Sequence, residues 1–174
     1  MKELLDKLSS YNVFNYLFPG VLFAAFVSWG TSFTLLADNI VVGAFLYYFY
    51  GLIVSRVGSL VLEPLLKRYG IVRFAQYADY VAASRTDPTL ETLSEQNNTY
   101  RTLAAMVVCM SVAAAVDRTL KLFPRATVYA RILGAFLLLL LFILSYRKQT
   151  KYVVARVEAN RASGTNEAKA VRGP

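Results

Sequence analysis

The residues able to do chemistry in this 174-residue chain are few, and they begin with three acids, Glu63, Glu95 and Asp117. An enzyme built on them would need a pair of acids, a nucleophile beside a base, or a set of metal ligands. Their spacing makes no such pair, and the chain has no histidine. That absence excludes His-based acid–base catalysis, Ser-His-Asp and Cys-His nucleophiles, and most zinc sites. We therefore predict a protein that is not an enzyme, with no catalytic, cofactor or metal site.

The single cysteine offers no alternative chemistry. Cys109 lies inside an apolar stretch and has no partner for a disulfide within the chain. A reactive thiol needs a nearby cation and some exposure to solvent. We interpret Cys109 as a small buried apolar residue.

Arg56 is the unusual residue, because it stands within the apolar run YGLIVSRVGSLVLEP of residues 50–64. An unpaired guanidinium is costly in such surroundings, so it either snorkels to the lipid headgroups or meets polar groups between helices. Helical side chains lean toward the helix N-terminus, which here points Arg56 away from the nearer membrane surface. We therefore predict an intramembrane polar cluster that fixes helix register, drawn from Arg56, Glu63, Glu95, Asn97 and Asn98.

Small residues form a ridge beside Arg56. Gly51, Ser55 and Ser59 recur at intervals of four, and Gly58 widens the same helix face. In lipid, small residues at this spacing let two helices approach closely. The ridge predicts helix packing and self-association of the chain.

The elements that position these residues are predicted to be membrane-spanning helices. The chain is 56% hydrophobic, and crossing a bilayer takes about 20 apolar residues in a helix. Four stretches qualify or nearly do: 19–36, 40–62, 102–116 and 128–146, of which the third is short. The expected fold is an all-α integral membrane protein with four transmembrane helices.

This prediction divides the chain into five parts. Residues 1–18 form an amphipathic helix at the membrane interface, and 19–62 form a transmembrane hairpin of spans 1 and 2. Residues 63–101 form a cytoplasmic helical segment, and 102–146 form a second hairpin of spans 3 and 4. Residues 147–174 form a basic cytoplasmic tail that is partly disordered.

Charge indicates the partner and the orientation. The net charge of +8 suits either nucleic acid or anionic lipid, and the hydropathy favours the lipid bilayer, so no nucleic-acid partner is expected. Twelve basic residues follow spans 2 and 4, against three, Arg118, Lys121 and Arg125, in the last connection. The positive-inside rule then places both termini in the cytoplasm. On the outer side, Asp117 is a candidate partner for Arg131, which could equally snorkel to that surface.

Three segments carry a resemblance. LSSYNVFNYLFPG at 8–20, SRVGSLVLEPLLK at 55–67 and LSEQNNTYR at 93–101 resemble an uncharacterised family of small bacterial four-span inner-membrane proteins. The resemblance covers roughly residues 1–105 and implies a location in the bacterial inner membrane. It supplies no catalytic residue. By analogy of class, small multi-span proteins of this kind often serve anti-phage systems as membrane subunits or membrane-damaging effectors.

Two functions follow as expectations. The first is a non-enzymatic membrane subunit that forms a homo-oligomer and presents residues 64–101 to a cytoplasmic protein partner. The alternative is an oligomeric pore or membrane-perturbing effector that depolarises the membrane, with Arg56 and the tyrosines near mid-span lining the path.

Overall fold

The computed structural model describes the backbone of residues 13–171 and the side chains of Val13 and residues 15–161. Within that range the secondary structure is helical, with no strand. The six α-helices are α1 Phe18–Gly30, α2 Ile40–Val57, α3 Glu63–Arg68, α4 Tyr77–Ala83, α5 Thr89–Leu122 and α6 Thr127–Val171. Two π-helical segments, Val13–Leu17 and Gly58–Leu62, and a 3-10 turn at Pro124–Ala126 join them. The expected interfacial helix falls mostly on residues 1–12, outside the described range.

Three helices in the described part of the chain are long and apolar enough to cross a membrane. They cover Ile40–Arg68, Thr89–Leu122 and Pro124–Arg161. These contain the second, third and fourth expected spans. The third is longer than its uncharged part suggested, because one unbroken helix of 34 residues includes both the apolar stretch and the polar residues before it.

The first expected span is shorter as a helix than predicted. α1 continues the π-helical segment and ends at Gly30, six residues before the expected limit. Thr31 turns the backbone into an extended conformation, and its backbone N–H and hydroxyl both donate to the Val27 carbonyl. These bonds close the last turn, so residues 31–39 form a non-helical connection to α2.

The long second helix has clear signals at both ends. The Asn39 side chain accepts hydrogen bonds from the N–H groups of Val41 and Val42, which caps the start of α2. At the other end Gly70 has φ of 72°, and Ile71 N–H donates to the Leu66 carbonyl at 3.0 Å. This left-handed glycine with a backward bond is a Schellman stop.

The core lies where α1, α2 and α5 meet. Val54, Ala105 and Met106 are buried together, and a buried threonine, Thr102, lies one turn from them on α5. α6 stands at the edge of this group, touching α2 through Phe49 and Phe142, whose rings are 6.1 Å apart. No residue in the apolar window of α6 is buried.

The tail, which is expected to be partly disordered, is helical from residue 147 to residue 171. α6 continues without a break from its apolar half through residues 147–171. No proline interrupts this stretch, and it is rich in Ala, Arg, Lys and Glu, which favour helix. Tyr77 of α4 packs on Tyr152 with ring centroids 5.5 Å apart, so this half of α6 also contacts the segment between spans.

Candidate functional site

Glu63 is the centre of a charged junction between three helices. Its carboxylate is 5% exposed and accepts from Lys67 at 3.0 Å, Arg101 at 2.7 Å and Lys148 at 3.3 Å. Arg101 comes from α5 and Lys148 from α6, whereas Lys67 lies one turn further along α3. We call these four residues the Glu63 junction. It joins the three helices Ile40–Arg68, Thr89–Leu122 and Pro124–Arg161, which are the candidate membrane spans within the described residues.

A local change of helix type makes room for Lys148. In the π-helical segment Gly58–Leu62, the Glu63 N–H donates to the Gly58 carbonyl, so it is not available to Ser59. The next candidate donor along the chain is Pro64, which has no N–H. The Ser59 carbonyl therefore lacks a backbone donor, and Lys148 Nζ donates to it instead. Lys148 Nζ also donates to the Ser59 hydroxyl, and both distances are 2.8 Å. The backbone irregularity therefore creates the binding site for the α6 lysine.

The Glu63 junction carries excess positive charge. Three cations surround one carboxylate, and the side chains of Lys67, Arg101 and Lys148 are 42%, 20% and 26% exposed. Within the described residues, the Arg101 Nε is buried and has no hydrogen-bond partner. Glu63 therefore offsets only part of the positive charge beside it.

A neutral polar contact lies next to this junction. Thr102 is fully buried, and its hydroxyl donates to the Asn98 carbonyl at 2.8 Å. The same oxygen lies 3.2 Å from Asn15 Oδ1 and 3.3 Å from Ser55 Oγ. The contact links α5 to α2 and to the π-helical segment before α1.

Arg56 lies apart from the Glu63 junction. Its Nη2 donates to the Tyr16 hydroxyl at 3.3 Å, and no ion pair of Arg56 is found in the described range. The structure thus separates Arg56 from Glu63, although seven residues along a regular α-helix would align them. The π-helical segment between them widens the turn, so Glu63 faces α5 and α6 while Arg56 faces Tyr16.

The other members of the predicted polar cluster are also elsewhere. Glu95 accepts a hydrogen bond through its backbone carbonyl from Thr99, and Asn97 is exposed. Asn98 contributes its carbonyl to Thr102. The structure therefore does not gather these residues around Arg56. Glu63 lies in the Glu63 junction, and Asn98 takes part in the Thr102 contact.

The small-residue ridge packs inside the chain. A Cβ on Gly51 would lie 1.7 Å from the Tyr16 carbonyl oxygen, and one on Gly20 would lie 1.7 Å from the Tyr47 carbonyl oxygen. Gly58 approaches Ala105 of α5, with a Cβ position 3.1 Å away. Ser55 and Ser59 are used in the two polar contacts described above. The ridge therefore holds α1 and α5 against α2.

The predicted outer pair does not form. Asp117 is 4% exposed and accepts from Lys121 of the same helix at 2.7 Å. It also accepts from the Ser32 hydroxyl and, at 3.2 Å, from the Ser32 N–H. Arg131 is exposed. Lys121 reaches Asp117 because it lies one turn further on α5, and the contact anchors the connection of residues 31–39.

Sequence reasoning missed Arg101 and Lys148 as partners of Glu63. The signal was available, because Arg101 directly precedes the uncharged stretch of α5 and Lys148 closely follows that of α6. Helices that cross the same slab place such boundary residues at one depth. Gly20 was missed because nothing in its local sequence identifies the helix it meets.

In the described part of the chain, no group of three His, Cys, Asp or Glu side chains could hold a metal ion. Comparison of the chain with protein-family models, with curated proteins and with solved structures found no match.

Proposed function

We propose that this protein is a non-enzymatic subunit of the bacterial inner membrane, with four transmembrane helices and both termini in the cytoplasm. It self-associates and couples the membrane to a cytoplasmic protein. The observation that carries the proposal is the apolar half of α6, which has no buried residue and is half-buried only along the face that carries Phe142, between two charged boundaries. Exposure of these apolar side chains to water would be strongly unfavourable, whereas lipid acyl chains solvate them without a protein partner.

The distance between charged layers supports insertion in a bilayer. On α5, Arg101 and Asp117 are sixteen residues apart, and on α6 Arg131 and Arg147 are also sixteen apart. Each interval is about 24 Å of helix. Lys and Arg side chains extend several ångströms beyond their backbones, which brings the layers close to the ~30 Å of hydrocarbon.

The helix that precedes α2 supports a total of four spans, because it is long enough to be the first of them. The π-helical segment and α1 together make a continuous helix over residues 13–30, about 27 Å long. Trp29 at its far end is 86% exposed, as expected for an aromatic residue at a membrane interface. The close contact of Gly20 with α2 keeps this helix antiparallel to the second span.

The helical projection beyond the Glu63 junction supports a cytoplasmic partner. The first half of α5 and the second half of α6 both extend past Arg101 and Lys148 on the same side, and α4 packs there through Tyr77. Arg85 donates a hydrogen bond to Asn160, which fixes the end of α4 to α6. We call α4 with these two half-helices the stalk. Its exposed basic and polar side chains form a rigid surface outside the membrane.

Self-association is proposed through α6, because the Gly51 ridge is occupied within the chain. A Cβ on Gly134 would meet nothing within 4 Å, and Ala130 lies one turn before it. Small residues at this spacing suit close packing of two helices in lipid. We expect Gly134→Leu to shift the full-length protein in nanodiscs from oligomer to monomer, measured by single-molecule photobleaching. An unchanged distribution would argue against α6 as the interface.

Topology is tested with the cysteine chemistry of the chain. Replacement of Cys109 by Ala removes the only thiol, so single cysteines can be introduced at Val13, Thr34, Arg125 and Glu158. We expect a membrane-impermeant maleimide to label positions 34 and 125 in intact spheroplasts. Positions 13 and 158 should react only after permeabilisation. Labelling of positions 13 and 34 from the same side would show that the helix between them does not cross the membrane, which would contradict the total of four spans.

Coupling to a partner is tested by photo-crosslinking in cells. A benzophenone amino acid at Arg156 in the stalk should capture a soluble protein, and one at Arg125 in the last connection should not. Equal capture at both positions would contradict the proposal.

We also propose that the protein acts within an anti-phage defence system. This is tested by plating phage on cells with and without the gene, since protection requires a difference in plating efficiency.

Arg56 favours a second candidate function, the depolarising pore. It is a half-buried guanidinium within the apolar run, and among the described residues it contacts a tyrosine hydroxyl and no carboxylate. Such a charge suits a water-filled path. Expression with a voltage-sensitive dye separates the two functions: depolarisation that Arg56→Leu abolishes supports the pore, and an unchanged membrane potential supports the subunit.

A further inference from the structure

Two cations of the Glu63 junction, Lys67 and Arg101, have hydrogen-bond donors that the junction does not use. Lys148 uses three donors, on Ser59 O, Ser59 Oγ and Glu63, which is all that an ammonium group has. Lys67 donates one hydrogen bond, to Glu63, and lies 3.9 Å above the Phe74 ring. Arg101 donates to Glu63 through Nη1 alone. Lys67 and Arg101 therefore retain donors, while Lys148 is saturated.

The Arg101 guanidinium keeps donors that Glu63 does not use. Nη1 donates to Glu63, Nε is buried and has no partner within the described residues, and no hydrogen bond from Nη2 is found there. Charged donors of this kind form strong hydrogen bonds with phosphate oxygens. Lys67 and Arg101 bind different oxygens of the Glu63 carboxylate, so both cations lie beside the same acid.

The depth of the Glu63 junction matches that of lipid phosphates. Arg101 borders the uncharged stretch of α5, and Arg147 with Lys148 borders that of α6. Tyr100 and Tyr146, at the same boundaries, are 70% and 77% exposed. Exposed tyrosines beside the end of an apolar helix mark the headgroup layer of a bilayer.

We propose that Arg101 and Lys67 bind the phosphate of an anionic phospholipid headgroup, with Glu63 and Lys148 as positioning residues that hold the two cations in place. The inference rests on the proposed membrane insertion. Basic pockets between helices at a membrane boundary are the usual receptors for anionic headgroups. The shared chemistry, a phosphate bearing at least one negative charge, also describes free inorganic phosphate, so the experiment distinguishes the two sources.

The test is a titration of the full-length protein in detergent micelles, followed by native mass spectrometry. Phosphatidylglycerol, phosphatidylcholine and inorganic phosphate are the three probes. We expect saturable binding of phosphatidylglycerol, weaker binding of phosphatidylcholine, and a loss of about fivefold in phosphatidylglycerol affinity for Lys67→Gln. Arg101→Lys retains the charge but removes the Nη2 donor, and it should lose a similar factor.

Arg147→Gln is the matched control, because Arg147 is exposed at the same depth and lies outside the Glu63 junction. Its affinity for phosphatidylglycerol should stay at the wild-type value. Equal losses in Lys67→Gln and Arg147→Gln would overturn the site and leave only diffuse attraction. Saturable binding of inorganic phosphate that Lys67→Gln weakens would support the phosphate site with the free ion as ligand. No binding of any probe would overturn it.

Failure of this inference is distinguishable from failure of the proposed function. Cysteine labelling reports insertion without reference to lipid type. A protein with the proposed topology and no preference for phosphatidylglycerol overturns the lipid site alone. A protein that does not insert overturns both.

Discussion

Arg101 of α5 reaches the Glu63 carboxylate at 2.7 Å, at the same place where Lys148 of α6 approaches it at 3.3 Å. A single buried acid therefore connects three helices that are far apart in sequence. Glu63, at the start of α3, therefore contributes to the relative positions of α3, α5 and α6.

Removal of this acid should destabilise the fold. Glu63→Gln retains the shape of the side chain but leaves Arg101 and Lys148 partly buried without a counter-charge. We expect a loss of roughly 2 kcal/mol, below the range for fully buried pairs because both cations are partly exposed. Thermal unfolding in micelles, followed by circular dichroism, measures it. Glu158→Gln, at an exposed site on α6, serves as the control and should unfold with the wild type.

A methyl group at the α1–α2 crossing should be more damaging. Gly51→Ala places a Cβ 1.7 Å from the Tyr16 carbonyl oxygen, a backbone atom that cannot rotate away. The helices must separate, at a cost of about 3 kcal/mol. Gly30→Ala is the matched helical control, since a Cβ there meets nothing, and it should be neutral or slightly stabilising. Similar melting temperatures for the two variants would show that the close crossing is not present.

Loss of the buried Thr102 hydroxyl should destabilise the fold. Thr102→Val conserves volume and removes the hydroxyl that lies between Asn15 and Ser55. We expect a loss of about 1 to 2 kcal/mol, because polar groups around a fully buried site lose a partner. Ser111→Ala removes an exposed hydroxyl of the same helix and should change the free energy of unfolding little. A stability gain in Thr102→Val would mean that water already reaches this position.

The connection of residues 31–39 should loosen when its contact with Asp117 is removed. Asp117→Asn weakens the contacts to Ser32 and Lys121, so residues 31–39 should open more often. In the Cys109→Ala background, a cysteine at Thr34 should then react about tenfold faster with maleimide, which corresponds to about 1.4 kcal/mol of lost anchoring. Asp38→Asn removes an equal charge, here from the connection itself, and should leave the rate unchanged. Equal acceleration by both variants would indicate a general charge effect.

The apolar stretches and their charged boundaries could be predicted from the sequence. Hydropathy and length identify the helices that begin at Ile40, Thr89 and Pro124, because a bilayer imposes a fixed length on any segment that crosses it. The early end of α1 at Gly30 depends on two bonds from Thr31 to Val27, which hydropathy does not detect. Composition alone does not indicate that residues 147–171 continue α6 as a helix, because small and charged residues are common both in helices and in disordered tails.

The partners of the charged residues could not be predicted in full. Regular helical geometry aligns Arg56 with Glu63, and the π-helical segment between them turns Glu63 toward α5 and α6. A one-residue shift in hydrogen bonding is decided by tertiary contacts and by Pro64, so a helical wheel gives the wrong neighbour. Gly51 was identified as a packing residue from its spacing. Its contact, the Tyr16 backbone, comes from a segment of the same chain, which spacing alone does not reveal.

The unbroken length of α5 has a mechanical consequence. Glu63 holds it at Arg101, twelve residues after its start, and Ser32 holds it at Asp117 near its other end, with about 24 Å of helix between the two contacts. Rotation or sliding of the helix strains both contacts. In the proposed topology, torque applied to the stalk therefore reaches the opposite side of the membrane as strain on the Ser32–Asp117 hydrogen bonds.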